Sequence, residues 1–80
     1  MTETTDDRLR RVAAAVFRLP LEGVAADLRE GETPGWDSVG QLMLMLAVEE
    51  EFGVTFPVED LTRLRGLPEI GAYLEGRTAS

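Results

Sequence analysis

The sequence has no cysteine and no histidine, and both absences exclude common kinds of active site. Without cysteine, the chain can build neither a disulfide framework nor a cysteine-based metal site. Without histidine, it lacks the commonest general base and the commonest metal ligand. A conventional hydrolase triad therefore cannot be assembled from these residues, and a zinc site is not expected.

Glycine-rich phosphate loops and the dinucleotide-binding fingerprint are missing as well. The carboxylates are abundant but scattered, whereas paired acid–base chemistry needs a desolvated cleft. The run Glu49-Glu50-Glu51 spreads around a helix and cannot converge on one metal ion. We therefore expect no catalytic residues and no metal site.

The size of the chain predicts one small domain. Eighty residues with a hydrophobic fraction of 44% form a single globular unit, which we place at residues 1–80 with an ordered core from about residue 6 to residue 76. No apolar run approaches the length of a membrane span. The N-terminal residues are acidic and polar, unlike a targeting sequence. We expect a monomer in the cytoplasm with no membrane partner.

Negative charge is concentrated in the middle of the chain. The net charge is −7, and residues 19–60 contain ten acidic residues against one arginine, Arg29. This distribution argues against nucleic acid, because phosphates would be repelled. It favours partners with basic surfaces, because opposite charges attract over a long range. Salt should weaken this attraction by screening the charges. A solvated acidic face that keeps the protein in solution explains the same charge without any partner.

The most informative stretch runs from Trp36 to Phe52 and predicts a loop followed at once by a helix. Ser38 with Gln41 three residues later fits a capping box at the start of the helix. Asp37 is a second candidate for the cap. A serine at this place is exposed to a field that favours anions, so it suits the attachment of a phosphate ester. Any ordinary helix could also begin with such a serine.

This second helix carries two apolar stripes instead of one. At about 100° per residue, Met45, Val48 and Phe52 share one face with Leu44 at its edge. The nearly opposite face carries Val39, Leu42, Met43 and Leu46. Both stripes would be buried in a central helix, but a chain this short can bury them only in part. We therefore interpret the second stripe as a contact surface for partners or for a bound group.

The remaining segments predict an all-α fold, a four-helix bundle with a long first loop and a short third helix. The first helix should run from about Asp7 to Leu19, and Pro20 stops it. The loop to Asp37 should be anchored by Trp36 and by inward apolar side chains, namely Leu21, Val24, Ala25, Ala26 and Leu28. Gly53 should end the second helix. The third should open at Pro57 and close near Leu64, and the last should start between Gly66 and Pro68 and fray after Gly76.

Several of these motifs together resemble the acyl carrier proteins and peptidyl carrier proteins. The resemblance consists of Trp36-Asp37-Ser38, the mostly apolar helix, and the close Glu49-Glu50-Glu51-Phe52-Gly53-Val54. It continues through Pro57-Val58-Glu59-Asp60-Leu61 and Leu67-Pro68-Glu69-Ile70-Gly71-Ala72-Tyr73-Leu74. It therefore covers most of the chain, from about the first helix to about Gly76.

The resemblance implies a carrier and not an enzyme. Ser38, preceded by the motif residue Asp37, would bear the phosphopantetheine arm of coenzyme A. A separate phosphopantetheinyl transferase would attach it with magnesium, the serine hydroxyl attacking the pyrophosphate. Acyl or aminoacyl groups would then travel on the arm as thioesters among loading, modifying and releasing enzymes. A flexible arm gives the cargo a high effective concentration at each of these enzymes.

By the same resemblance, the second helix would be the recognition element. Its partner-binding residues would be Val39, Leu42, Met43, Leu46, Glu49 and Glu50, with Asp37 as a further acidic contact. Val39 replaces the usual leucine, and Met43 stands where carriers of fatty acid synthesis often have an acid. The replacement at Val39 is small and is compatible with modification. Met43, the Trp36-Asp37-Ser38 form and basic residues that are all arginine favour a stand-alone carrier from specialised metabolism of the polyketide or nonribosomal peptide type. The alternative is an unmodified acidic helical adaptor that binds a basic protein.

Overall fold

The protein consists of four α-helices joined by one long and two short connections in the computed structural model, which describes residues 3–25 and 27–78. The helices are α1 (Thr5–Phe17), α2 (Ser38–Phe52), α3 (Val58–Arg63) and α4 (Leu67–Thr78). A 3₁₀ helix, Leu21–Gly23, lies in the first connection. The predicted all-α bundle with a long first loop and a short third helix is confirmed. None of these helices combines the length and the apolar character needed to cross a membrane.

Helix α1 begins two residues earlier than predicted because Thr4 caps it. The Thr4 hydroxyl accepts a hydrogen bond from the Asp7 amide at 3.0 Å, and the Asp7 carboxylate accepts one from the Thr4 amide at 3.5 Å. This reciprocal pair satisfies two free donors at the helix start. Leu9, Ala13 and Phe17 form the buried face of α1.

Helix α2 packs against α1 and α3, and α1 packs against both α2 and α4. Gly53 ends α2 in the left-handed conformation, with φ 67°, as predicted. The extended link 54–56 then turns the chain back along α2 to α3. The core is formed by buried apolar side chains: Leu9, Ala13, Phe17, Val24, Trp36, Leu44, Met45, Val48, Phe56, Leu64, Leu67, Ile70 and Leu74.

Both ends of α2 are held by side chains. At its C-terminal end, Arg8 of α1 donates to the carbonyl oxygen of Glu51 at 2.9 Å and to the Glu51 carboxylate at 3.1 Å. The same guanidinium lies 4.3 Å above the ring centroid of Phe52. At the N-terminal end, Phe17 contacts Trp36. Helices α1 and α2 therefore run antiparallel.

The first connection turns fewer side chains inward than we predicted. Val24 is buried and Leu28 is half-buried, but Leu21 is 45% exposed and Ala25 is exposed. The difference arises because α1 binds the backbone of this segment. Arg10 donates hydrogen bonds to the carbonyl oxygens of Val24, at 2.7 Å, and Leu21, at 3.5 Å. These bonds hold the backbone of the 3₁₀ segment against α1, so Leu21 points outward. The prediction for Ala26 lies outside the described residues.

The second half of this connection is anchored to the turn between α3 and α4. Backbone hydrogen bonds join the Leu67 amide to the Leu28 carbonyl at 2.9 Å and the Glu30 amide to the Arg65 carbonyl at 3.1 Å. Arg29 adds an ion pair with Glu69 at 2.7 Å. A long loop is thus fixed at its middle as well as at both ends.

Helix α4 starts where predicted, with the Ile70 amide bonded to the Gly66 carbonyl at 3.1 Å. Leu67, Ile70 and Leu74 are buried, and Tyr73 is half-buried. The helical backbone continues to Thr78, past the point at which we expected fraying. Residues 79 and 80 lie outside the described part of the chain.

Candidate functional site

Asp37, not Ser38, caps α2. The Asp37 carboxylate accepts a hydrogen bond from the Gly40 amide at 2.8 Å, and Ser38 is the first helical residue. The predicted capping box of Ser38 and Gln41 is therefore wrong, and the second candidate cap is the correct one. The physical reason is that the Gln41 amide has better partners in the interior than the exposed backbone at the start of the helix.

Ser38 is exposed at the head of α2, and its hydroxyl is not used to build the fold. Among the described residues, no side chain shares a hydrogen bond with its Oγ atom. The free amides of the first turn and the positive end of the helix dipole favour a negatively charged group here. An accessible hydroxyl in such a field fits a phosphate ester.

Trp36 fixes the loop that leads to Ser38. Its indole ring is only 2% exposed and stacks on Phe17, with ring centroids 5.1 Å apart and an interplanar angle of 23°. The indole Nε1 donates to Gln41 Oε1 at 2.7 Å. The predicted role of Trp36 as an anchor of this loop is confirmed, and its burial leaves little of the ring for contact with a bound group.

Gln41 was missed as an interior residue by the sequence analysis. Its side chain is 2% exposed, and its Nε2 donates to the carbonyl oxygens of Leu61 and Leu64 at the end of α3, at 3.0 and 2.7 Å. Its burial could have been predicted from its helical spacing to other buried residues. Gln41 precedes Met45 by four residues and Val48 by seven, so it belongs to the buried stripe.

The outer face of α2 carries the second apolar stripe, as predicted. Leu44, Met45 and Val48 are fully buried. The opposite side chains are exposed to about half or more of their surface: Val39 68%, Leu42 47%, Met43 55% and Leu46 52%. The alternative that both stripes are buried is wrong, because α1 and α3 cover only the inner side of the helix.

The three consecutive glutamates of α2 point to three different surroundings. Glu49 is half-buried, and its carboxylate accepts a hydrogen bond from the Phe56 amide at 2.7 Å. Glu51 pairs with Arg8, whereas Glu50 is exposed next to the apolar stripe. Within residues 3–25 and 27–78, no three acidic side chains are arranged to hold a metal ion.

Comparison with known proteins identifies the family. Residues 7–74 match the family described as the phosphopantetheine attachment site. The chain is 33% identical to an acyl carrier protein of Rickettsia bellii (strain OSU 85-389) over 55 residues, which cover 69% of this chain and 68% of that protein. It is 27% identical to an acyl carrier protein of Akkermansia muciniphila over 70 residues, 88% of each. It is 25% identical to acyl carrier protein 3 of Ralstonia nicotianae over 77 residues, 96% of this chain and 88% of that protein.

The family match spans most of the bundle and includes the head of α2, where the fold presents an exposed serine. Members of this family bear a covalent phosphopantetheine group, receive it from a phosphopantetheinyl transferase and serve biosynthetic enzymes without catalysing a reaction themselves. The chain belongs to the acyl carrier protein family of phosphopantetheine-bearing carriers.

Proposed function

We propose that Ser38 is the residue that bears phosphopantetheine. The observation that supports this most directly is that Asp37 caps α2, which leaves the exposed Ser38 hydroxyl available. When bound, the group supplies a terminal thiol on a flexible arm, on which acyl groups are carried as thioesters.

The residues around Ser38 hold its hydroxyl in a fixed place. Asp37 ties the first turn through the Gly40 amide, and Trp36 fixes the preceding loop. In this transfer the Ser38 Oγ atom would attack the phosphorus that carries the pantetheine arm and would lose its proton to a base. The P–O–P bond of coenzyme A would break, and adenosine 3′,5′-bisphosphate would leave. The neighbouring Asp37 carboxylate is bonded to the Gly40 amide, and no described side chain bonds the Ser38 Oγ atom, so we propose that the base comes from the transferase or from solvent.

We further propose that the outer face of α2 is the docking surface for the transferase and for biosynthetic enzymes. This face consists of Val39, Leu42, Met43 and Leu46, with the carboxylate of Glu50 beside it. Exposed apolar side chains next to a negative charge suit partners with an apolar patch and a basic rim. Glu49 adds negative charge at the same end of the helix, although its carboxylate is shared with the Phe56 amide.

The proposed pathway is specialised biosynthesis of the polyketide or nonribosomal peptide type, served by a monomeric carrier domain. Support comes from Met43, an exposed apolar residue in the second turn of α2, where no acidic residue precedes Glu49. Partners would select this carrier more by shape than by charge. Full substitution for the fatty acid carrier in a reconstituted fatty acid synthase would contradict this assignment. A cytoplasmic location stays a prediction.

An intact-mass measurement tests the attachment site. The apo-protein is incubated with coenzyme A, magnesium and a broad-specificity phosphopantetheinyl transferase, beside Ser38→Ala and Thr62→Ala. Thr62 is an exposed hydroxyl residue on α3 and serves as the matched control. We expect one phosphopantetheine on the native protein and on Thr62→Ala, and none on Ser38→Ala. A mass gain that survives in Ser38→Ala would contradict the proposed site, and no gain on any folded variant would favour an unmodified adaptor.

A second experiment tests the docking surface. Leu42→Gln should raise the KM for the carrier in the transferase reaction, because it removes an apolar contact from the partner. Leu21→Gln is the control, since Leu21 is 45% exposed and Leu42 47% exposed, but Leu21 lies outside α2. Equal effects of the two changes would show that general surface hydrophobicity, and not the face of α2, decides binding.

A further inference from the structure

The buried side chain of Gln41 connects the loop before Ser38, the first turn of α2 and the end of α3. We propose that Gln41 is a positioning residue for the modification of Ser38, holding the Ser38 turn in a fixed relation to α3. This proposal rests on Ser38 being the attachment site. Gln41 does not touch the reacting atoms, but it would determine the position of the Ser38 hydroxyl.

The contacts show that the side-chain amide is fully used. Gln41 Oε1 accepts from the Trp36 indole at 2.7 Å. The two hydrogens on Nε2 are donated to the carbonyl oxygens of Leu61 and Leu64, at 3.0 and 2.7 Å. A primary amide offers two donors and one acceptor group in one plane. Glutamate would lack the donors and methionine would lack all three bonds, so glutamine suits this place chemically.

The bonds to α3 matter because this helix has little other support. It is a single short segment, Val58–Arg63, and among the described helices it packs mainly on α2. The carbonyl oxygens at the end of a helix have no partner within the helix. Gln41 supplies donors to two such oxygens and thus caps α3 from the side of α2. The position of α3 relative to Ser38 therefore depends on this amide together with the packing of Leu61 and Leu64 against the core.

The bond to Trp36 matters for the approach to Ser38. Trp36 stands two residues before Ser38, and Gln41 stands three residues after it. The hydrogen bond between them closes a short loop around the serine, inside which Asp37 caps the helix. Without the amide, Asp37 still starts the helix, but the turn loses its attachment to α3 and to the indole. A nucleophile that is displaced by even a small distance reacts more slowly.

Kinetics of the transferase with Gln41→Met test the proposal, because methionine keeps the volume and removes the hydrogen bonds. We expect kcat to fall about tenfold, with the KM for the carrier within about twofold of the native value, because the docking face is untouched. Ile70→Val is the control, since it weakens the core on α4, away from Ser38. It should lower stability and leave both constants unchanged at temperatures at which the protein is folded.

The indole N–H of the single tryptophan gives a spectroscopic check. Its proton resonance should move upfield in Gln41→Met, because the hydrogen bond to Oε1 is lost, and stay in place in Ile70→Val. If Gln41→Met does not fold, Trp36→Phe tests the same link, since it keeps an aromatic ring against Phe17 and removes the donor together with part of the buried volume of the indole. We then expect a several-fold fall in kcat.

The outcomes separate this proposal from the assignment of Ser38. If the native protein is modified at Ser38 and Gln41→Met or Trp36→Phe reacts with the native kcat, Gln41 is not a positioning residue. An equal loss of kcat in Ile70→Val would make the role of Gln41 merely structural. If Ser38→Ala is still modified, the attachment site itself is wrong, whatever Gln41 does.

Discussion

The backbone of Gly40 packs directly against the carbonyl oxygen of Gly35, so closely that a methyl group on residue 40 would overlap that oxygen. The same methyl group would lie 3.1 Å from the ring of Phe17. The loop that delivers Ser38 can therefore cross the start of α2 only because residue 40 has no side chain. This close approach, together with the stack of Trp36 on Phe17, places the serine at the end of the bundle.

Gly40→Ala should destabilise the protein by about 1–3 kcal/mol, the usual cost of forcing an extra methyl group into a packed site. Alanine favours a helix over glycine by at most about 1 kcal/mol, which offsets only part of this cost. Denaturant unfolding measures the change. Gly76→Ala is the control, because that glycine is also helical and has open space around it. It should be neutral or slightly stabilising, and a similarly small effect at residue 40 would contradict the described packing.

Replacement of the cap separates the structural role of Asp37 from the chemical role proposed for Ser38. Asp37→Ala should cost about 1 kcal/mol, because the Gly40 amide loses its acceptor. Asp37→Asn keeps an acceptor and should cost less. Ser38→Ala should change the free energy of unfolding by less than about 0.5 kcal/mol. Thermal melts of the apo-proteins would rank the three variants by stability. If Ser38→Ala lost more stability than Asp37→Ala, the serine and not the aspartate would be the cap.

The ion pair between Arg29 and Glu69 predicts a component of stability that depends on pH. The hydrogen bond donated by Arg29 holds the pKa of the Glu69 carboxyl below its ordinary value of 4.5. Because this pKa is lowered in the folded state, the contribution is present above about pH 4.5 and is lost as the pH falls through the lower folded value. The effect should be small, since the pair is on the surface.

Denaturant unfolding of Glu69→Gln against the native protein between pH 3 and pH 7 measures this component. The difference in the free energy of unfolding should be constant near neutral pH and shrink in acid. Glu75→Gln, on the same helix and without an ion pair in the described part of the chain, should show no such trend. A difference that grew as the pH fell would have the wrong sign for a lowered pKa.

Crowding of acidic residues predicts that salt raises the melting temperature of the apo-protein. The net charge is −7, and Glu50 on α2 and Glu59 on α3 are exposed acids without an ion pair among the described residues. Salt at 0.1 M screens exposed charges that are more than about 10 Å apart. Repulsion between the acidic side chains should therefore fall, and the melting temperature should rise by a few degrees. Magnesium should act at lower concentration. Glu50→Gln should reduce the increment, and a melt that stays level or falls with salt would contradict this explanation.

The sequence was sufficient to predict features that depend on periodicity. The buried side of α2, marked by Leu44, Met45 and Val48, follows from the helical repeat, and the exposed stripe follows from the small number of helices that could cover it. The end of the helix at Gly53 follows from the conformational freedom of glycine. These are local properties, and a single chain displays them in order.

Features that depend on distant partners could not be predicted in this way. Gln41 fits a capping box by spacing, but its actual partners at the end of α3 are 20 and 23 residues away in the chain. Leu21 has an apolar side chain that should prefer the interior, yet Arg10 captures its carbonyl from the neighbouring helix. Ser38 is exposed for a local reason, whereas the role we propose for it rests on the resemblance to a family whose model matches residues 7–74.

The fixing of α2 at both ends gives the proposed docking surface a defined length. Asp37 holds the first turn and Arg8 holds the last one, so the helix cannot unwind at either end without breaking these bonds. Ser38 and Glu50 are twelve residues apart, which is about 18 Å along a helix. An enzyme that binds Glu50 through an arginine or lysine should therefore present that cation at this distance from the mouth of its active site. Helix α2 would then select its partners by the distance between Ser38 and Glu50 as well as by charge.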